Sequence, residues 1–453
     1  MKTAGRGRFP LPAARCGKRK FLSQRGLTIK RILVVSDPAF PLSTTGFAMP
    51  CRAVIDGLMA AGFRVIHLAR GSEYRDTDLP KEWDGKPIKI FGTPVDDLNG
   101  YHYLGYLLDV EANFDDVDCI VYIADPQSIR AWRTNVQARM IFANKPRPTV
   151  TYGPTEGGPL LKPESTCLAE IITTGGIVST YTQFSADVMT RAIKKAMVPG
   201  KPCPDFQIRI IPHGVDHAPF RQFSPIQRAD VRKRFGWTDK IVVMNVARNS
   251  GRKMWPSLFK AISLLGSKYP NLILYAHTAP FERFFLEGHN LSEIANNLDI
   301  DQRVIYPDRS LDPWHGVPFE RLIAAYNAAD IFVTPSGAEG WNLPVSEAAA
   351  CGLPVICTTY SGMWEQARDY AIPLEPDGYT THSNGSELAY VSPHQIADKI
   401  EQYAIMCPEK TKSYVTRGLE ISKLRTWQLL KEGIVKMVKE AIGNLDPAST
   451  VMD

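Results

Sequence analysis

Short apolar, β-branched runs alternate along the chain with stretches of helical spacing, and two such series begin alike. Arg31-Ile-Leu-Val-Val-Ser36 reads as a buried strand, the loop Asp37 to Gly46 follows, an amphipathic helix runs from about Ala48 to Ala61, and Arg64-Val-Ile-His-Leu68 is the next strand. Near the middle, Lys240-Ile-Val-Val-Met-Asn-Val246, a loop, a helix near Pro256 to Lys268 and the strand Asn271 to Ala276 repeat the arrangement. A third unit starts at Ile331-Phe-Val-Thr334, which Gly337 and Gly340 break into a loop. Asn342 is placed as an N-cap there, Pro344 in the first turn and Ala348 to Ala350 as helix, with Gly352 and Pro354 ending it before the strand Pro354-Val-Ile-Cys-Thr358. Units of this kind are βαβ crossovers, and the loop after the first strand lies where open α/β sheets bind ligands. The pattern predicts an α/β protein of two doubly wound domains in tandem, with no short-period repeat.

A length of 453 residues exceeds what one hydrophobic core serves, which agrees with two domains. Ile210-Ile-Pro-His213-Gly214-Val-Asp216, where a strand-like segment runs into a Pro/Gly turn before a charged stretch, marks the boundary. The expected division is 29–213, 214–410 and a C-terminal pair of helices in 411–453, with Trp427 and Leu429 to Val438 supplying apolar positions. No run reaches the about 18 apolar residues of a membrane span, and the N-terminus lacks an apolar signal core, so a cytoplasmic location is the default expectation. Eight scattered cysteines without a Cys-x-x-Cys pair read as reduced and mostly buried. His213 and His217 are four apart, but the turn Gly214-Val-Asp216 between them speaks against a metal pair, and no metal is expected.

The formal charge of +6 hides an asymmetry, because residues 1–31 hold ten Lys or Arg and no Asp or Glu. The rest of the chain is slightly acidic. Residues 1–28 show no apolar period and read as a disordered, solvated tail or an upstream extension of the reading frame. An arm for nucleic acid or for an anionic membrane surface, or a transit peptide, are the sharper readings.

Two carboxylates, Glu339 and Glu347, stand eight positions apart around the third loop. Spacing alone is uninformative, since a solvated surface glutamate is the ordinary case. The context is not. Ser336-Gly-Ala-Glu339-Gly-Trp-Asn-Leu-Pro344, with Glu347 and the later Gly352-Leu-Pro-Val355, closely resembles the signature of glycosyltransferase family 4. Pro212-His-Gly-Val-Asp216 resembles the junction between that family's domains. In Arg248-Asn-Ser-Gly-Arg252-Lys253, two cations five apart follow a strand, a counter-charge suited to a diphosphate. The family shows an Arg and a Lys at this spacing, often with Gly after the Lys, where this chain has Met254.

The resemblance implies the GT-B fold, two Rossmann-like domains facing a cleft with a C-terminal helix crossing back to the first. It also implies roles. Arg248 and Lys253 would neutralise the donor diphosphate, which dispenses with a divalent metal. Glu347 would accept hydrogen bonds from ribose, while Glu339 and the backbone N–H groups of Gly340, Trp341, Asn342 and Leu343 would hold the hexose. Gly46 would let backbone approach the donor phosphate. Glu156 lies about where relatives carry a histidine facing the sugar, and is a catalytic candidate beside Glu339. His277 is a weaker donor-side candidate, Tyr306 to Asp308 fall where relatives grip the base, and Glu365 is placed at the donor end.

The expected function is retaining transfer of a hexose from a UDP- or GDP-sugar to an acceptor hydroxyl, without a cofactor beyond that co-substrate. The acceptor stays open among glycan, lipid, small molecule and modified DNA. A transferase acting on hydroxymethylated DNA bases and a non-catalytic nucleotide-sugar-binding module are the alternatives, and a sugar-nucleotide epimerase fits the Glu339/Glu347 loop poorly.

Overall fold

The computed structural model describes residues 29–43, 45–70, 79–92, 117–134, 147–197, 205–281, 288–307, 317–382 and 385–444. The basic tail 1–28, Cys16, Cys203 and Asp308 lie outside them.

The first sheet is built from β1 (Arg31–Ser36), β2 (Arg64–Ala69), β5 (Lys89–Gly92), β6 (Cys119–Ile123), β7 (Thr149–Tyr152), β8 (Ile177–Thr180) and β9 (Arg209–Ile210), with β3 (Glu82–Trp83) and β4 (Lys86–Pro87) forming a separate small hairpin. Its order is β5-β2-β1-β6-β7-β8-β9 and every pairing is parallel. Strand order reverses between β1 and β6. The second sheet runs β12-β11-β10-β13-β14-β15, again parallel, from β10 (Ile241–Val246), β11 (Leu272–His277), β12 (Val304–Ile305), β13 (Ile331–Thr334), β14 (Val355–Thr358) and β15 (Ala371–Leu374), and reverses between β10 and β13. β16 (Gly378–Thr381) and β17 (Glu387–Tyr390) form an antiparallel hairpin beyond it.

Helices α1 (Ala48–Ala60), α2 (Pro126–Thr134), α3 (Lys162–Thr173) and α4 (Gln183–Ala196) serve the first sheet. The second has α5 (Pro225–Phe235), α6 (Trp255–Gly266), α7 (Leu291–Asn297), α8 (Phe319–Ala328), α9 (Leu343–Ala350), α10 (Ser361–Ala367) and α11 (Pro393–Ile400), followed by α12 (Lys412–Leu424) and α13 (Trp427–Asn444). Both sheets are covered on both faces, which explains why their strands are continuous apolar runs and not alternating ones. Ile32 and Val34 of β1 face one core cluster while Leu33 and Val35 face another. Val242 and Met244 of β10 face one and Val243 the other.

The chain crosses between the sheets twice, and the crossings lie side by side. Gly214 packs so closely on the second crossing that an added Cβ would stand 2.2 Å from the Trp427 backbone nitrogen, and Val215 N–H donates to Arg425 O at 3.0 Å. After Trp427 the last helix returns to the first domain. Leu430, Ile434, Met437, Val438 and Ala441 of α13 join the first-domain core, Lys431 pairs with Asp56 at 3.1 Å, and Gly57 leaves room for the Lys431 backbone. Of the six described cysteines, all free thiols, Cys51, Cys119, Cys167, Cys351 and Cys357 are buried and Cys407 is partly buried. Among the described residues no helix is long and apolar enough to cross a membrane.

Candidate functional site

Both strand-order reversals open onto one cleft, and the loops there hold the residues singled out by sequence. The loop after β10 carries Arg248, Arg252 and Lys253; the loop after β13 carries Glu339. These two loops flank the switch point of the second sheet, where a crevice forms outside the carboxyl ends of the strands.

Glu339 is 4% exposed and sits between two cations. Arg252 Nη1 donates to its Oε2 at 2.7 Å, and Lys253 Nζ donates to its Oε1. Burial works against its charge, but Arg252 and Lys253 outweigh burial and hold the carboxyl well below the usual carboxylate range. Arg252 also reaches across the cleft, its Nη2 lying 2.6 Å from Glu156 Oε1. One guanidinium thus ties a carboxylate of each domain. Arg252 is the residue of this cluster that spacing did not single out; its neighbour Lys253 drew the attention. The exposed Arg248 supplies backbone, its carbonyl accepting from Trp255 Nε1 at 3.2 Å.

The departure at Met254 is resolved by its backbone. Met254 adopts φ 54°, ψ 34°, the left-handed conformation a glycine reaches at no steric cost, so the loop keeps the turn despite its side chain. Asn342 and Ser361 take positive φ as well, at 71° and 61°. Three non-glycine residues in this region around one loop pair mark a site whose backbone is set by more than local preference. Ser361 shows how: its Oγ accepts from Glu339 N–H at 2.9 Å and donates to Glu339 O at 3.0 Å.

Asn342 occupies the N-cap position of α9, but its side chain makes no cap hydrogen bond, contrary to the sequence expectation. In the left-handed conformation its amide turns back, donating to Thr334 Oγ1 at 3.4 Å and Met363 Sδ at 3.2 Å. The helix start is left open. Among the described residues the N–H groups of Gly340, Trp341, Asn342 and Leu343 have no acceptor, which makes this end receptive to an anionic or hydroxyl oxygen. Trp341 offers only backbone to that opening. Its indole is buried in the first-domain core cluster, donating Nε1–H to Ser346 Oγ at 3.1 Å beneath the Arg425 guanidinium.

Glu347, inside α9, accepts from Tyr326 O–H at 2.8 Å. Burial pushes its carboxyl up to about 7, against the downward pull of that hydrogen bond. His277 ends β11 with Nδ1 3.2 Å from Tyr275 Oη, and burial, reinforced by Arg321, lowers its imidazole to about 4, so it is neutral near pH 7. Gly46 is exposed, and a Cβ there would meet nothing within 4 Å.

The two domains touch here. A Cβ on Gly340 would stand 2.2 Å from Pro154 Cβ, one on Gly157 would stand 2.4 Å from Glu387 O, and Glu387 N–H donates to Gly158 O at 2.7 Å. Glu365, expected at the donor end, does something else. Its two oxygens accept the N–H groups of Gln183 and Phe184 at 2.7 Å each, capping α4 of the other domain. A carboxylate at a helix N-terminus is favoured by the orphan donors and the macrodipole, and that outcompetes a place at the ligand. His213 is buried among Tyr152, Tyr181, Trp341 and Trp427, and burial lowers it to about 3. Among the described residues no group of three His, Cys, Asp or Glu is placed to hold a metal ion.

Residues 227–414 match the family model for glycosyl transferases group 1. The D-inositol 3-phosphate glycosyltransferase of Acidothermus cellulolyticus is 26% identical over 250 residues, 54% of this chain and 50% of that protein. The GDP-mannose-dependent alpha-(1-6)-phosphatidylinositol monomannoside mannosyltransferase of Mycolicibacterium smegmatis is 30% identical over 183 residues, 39% of this chain and 44% of that protein. The chain thus spans half or less of these relatives' length. Among solved structures, Anabaena HepE in complex with UDP and glucose superposes with a TM-score of 0.64 at 15% identity, covering 90% of this chain and 99% of the other. Sucrose-phosphate synthase from Thermosynechococcus elongatus superposes with a TM-score of 0.69 at 17% identity over 91% of this chain and 98% of the other. These likenesses establish the two-domain GT-B architecture.

Proposed function

We propose that this chain, whose residues 227–414 form a group 1 glycosyltransferase domain on a GT-B fold, transfers a hexose from a UDP- or GDP-sugar to an acceptor hydroxyl with retention and without a metal. The observation that carries the reading is Glu339 held by Arg252 and Lys253 beside the open helix start at Gly340 to Leu343. In this reading Glu339 stands in for the donor's own negative charge. A diphosphate entering the crevice takes over Lys253, with Arg248 at the loop's outer side, and releases Glu339 toward the hexose.

The bond from the anomeric carbon to the diphosphate oxygen then breaks, and its electron pair leaves with the nucleoside diphosphate. The acceptor oxygen bonds to that carbon on the same face, and the acceptor proton departs on the diphosphate. Cations preorganised at the leaving group lower this barrier directly. Glu339 shields charge developing at the anomeric carbon, and Glu156, fixed by Arg252, orients the acceptor hydroxyl. Screening UDP-, GDP- and ADP-sugars for thermal stabilisation and slow hydrolysis, with and without EDTA, tests the reading. Silence across the panel, or complete loss of turnover with EDTA, refutes it.

Two further outcomes are expected. Glu347 reaches about 7 in the folded protein against an ordinary 4.5, so its contribution to stability is present below 4.5 and is lost as pH rises through 7. Donor binding runs the other way, because ribose hydroxyls donate to the ionised carboxylate. Affinity should climb about tenfold per pH unit up to about 7 and then level off. Donor titration between pH 5 and 8 reads this directly, with Glu347→Gln flat across the range; a pH-independent native protein would remove Glu347 from the donor. Gly46→Ala should keep stability within about 1 kcal/mol, since nothing crowds the position. It should weaken donor binding about tenfold by holding backbone off the phosphate. Equal donor affinity in the variant would leave Gly46 a plain turn residue.

A further inference from the structure

Facing the donor loops, four adjacent parallel strands of the first sheet, β1, β6, β7 and β8, end on the cleft, and polar residues follow within a few positions of each end. They are Asp37, Asp125, Thr155 with Glu156, and Tyr181. Among the described residues, the two cations at this wall, Arg70 and Arg252, already serve carboxylates. Arg70 donates to Asp37 through Nε at 2.9 Å and Nη2 at 2.6 Å, and to Ser128 Oγ through Nη1 at 3.1 Å. Ser128 in turn donates its N–H and its hydroxyl to Asp125, both at 2.9 Å. Glu156 is matched by Arg252, which Glu339 shares. Asp125 has the hydroxyl and amide donors of Ser128 but, among the described residues, no ion pair.

Among these carboxylates lie hydroxyls that are buried and unmet. Tyr181 and Thr155 are each 4% exposed, and among the described residues neither Tyr181 Oη nor Thr155 Oγ1 has a hydrogen-bond partner. Their positions are held by other means. The Tyr181 ring packs on His213 and Tyr152 with centroids 3.8 Å and 4.7 Å apart, and the Thr155 backbone is tied to Ser185 Oγ through both its N–H, at 3.2 Å, and its carbonyl, at 3.0 Å. After burial itself, the charges that raise the Tyr181 hydroxyl are those of Asp125, Glu156 and Asp37, in that order. A buried hydroxyl left unpaired loses its water without recompense, and two held rigidly on neighbouring strands are the mark of a ligand that completes them.

We propose that this wall is an acceptor subsite that selects a polyhydroxy compound carrying no phosphate, a free sugar or polyol whose hydroxyls donate to Asp125 and Glu156 and accept from Tyr181 and Thr155; it rests on the transferase reading above. Carboxylates take hydroxyl donors in charge-assisted hydrogen bonds and repel a phosphate dianion. The open donor end and the carboxylate-lined acceptor end thus have opposite preferences for charge.

The test uses the full chain and the donor found by hydrolysis. Glucose, fructose and myo-inositol are each offered against glucose 6-phosphate, fructose 6-phosphate and inositol 3-phosphate, and donor consumption and product mass are followed. At least one free compound should be used about tenfold faster than its phosphorylated counterpart, the effect of one uncompensated like charge. With that acceptor, Tyr181→Phe and Thr155→Val should each raise the acceptor KM about fivefold while the melting temperature holds or rises, because each removes an unpaired buried hydroxyl. Preference for a phosphorylated member, transfer to hydroxymethylated DNA, no acceleration by any free sugar or polyol, or a fall in melting temperature with unchanged acceptor KM overturns the proposal. Donor consumption without acceptor is measured first; silence there refutes the transferase reading, and this one with it.

Discussion

Lys253→Ala should lower kcat/KM for the donor by about 10²–10³-fold, the cost of removing one preorganised charge from a developing anion. The Lys253 ammonium is only 12% exposed and points at Glu339, so it is already desolvated and aimed before any donor arrives. Burial lowers its pKa and neighbouring Arg252 adds to that, while Glu339 and Glu156 pull it back up. The fold should survive the change, because Glu339 keeps its 2.7 Å contact to Arg252 and is not left as an unpaired buried charge. Stability should fall by about 1–3 kcal/mol, the worth of a hydrogen bond to a charged group. Steady-state kinetics with a melting curve on the same sample separate the two effects. A variant that melts like the native protein and turns over at the native rate would dismiss Lys253 from the leaving group.

Trp341→Ala should have the largest effect on stability, about 3–5 kcal/mol. Although Trp341 belongs to the donor-side loop, its indole fills the junction between the domains. It lies 5.6 Å from the His213 ring and under the Arg425 guanidinium at 5.2 Å, and it is 5% exposed. Truncation opens a cavity there and strips Ser346 of its donor. For domains of this size the midpoint should fall by about 10 °C. Donor affinity should fall with it, since the neighbouring N–H groups of the helix start lose their anchor. A drop of less than about 1 kcal/mol would mean the junction repacks and the loop is positioned from elsewhere.

Much of the fold is legible in the sequence because buried parallel strands are short continuous apolar runs, and β1, β10 and β13 start at or within one residue of where their patterns do. The donor loops are legible for a related reason: strand, loop and helix start are contiguous, so local spacing carries the geometry. What resists reading is whatever depends on a partner far along the chain. Arg252 has no spacing signal of its own, and its partners Glu339 and Glu156 lie on another loop and another domain. Glu365 looks like a ligand residue until its true partners, Gln183 and Phe184 on the facing domain, are in view. Asn342 has the right residue type for a cap and the wrong backbone, because the left-handed turn that opens the loop carries its amide away from the helix. Met254 is the converse case, an unsuitable residue type held in the required conformation.

The return of α13 to the first domain also sets the order in which the protein can be made. Leu430, Ile434, Met437, Val438 and Ala441 leave the ribosome after both sheets have been made, yet the core they complete contains Ile32. The domain that carries β1 is therefore made before the domain that carries β10 but completed after it, and it waits with that groove uncovered while the other folds. Release of a nascent chain stopped before Trp427 should yield a protease-sensitive first domain beside a resistant second one. Equal resistance of both would show that the first domain closes without its final helix.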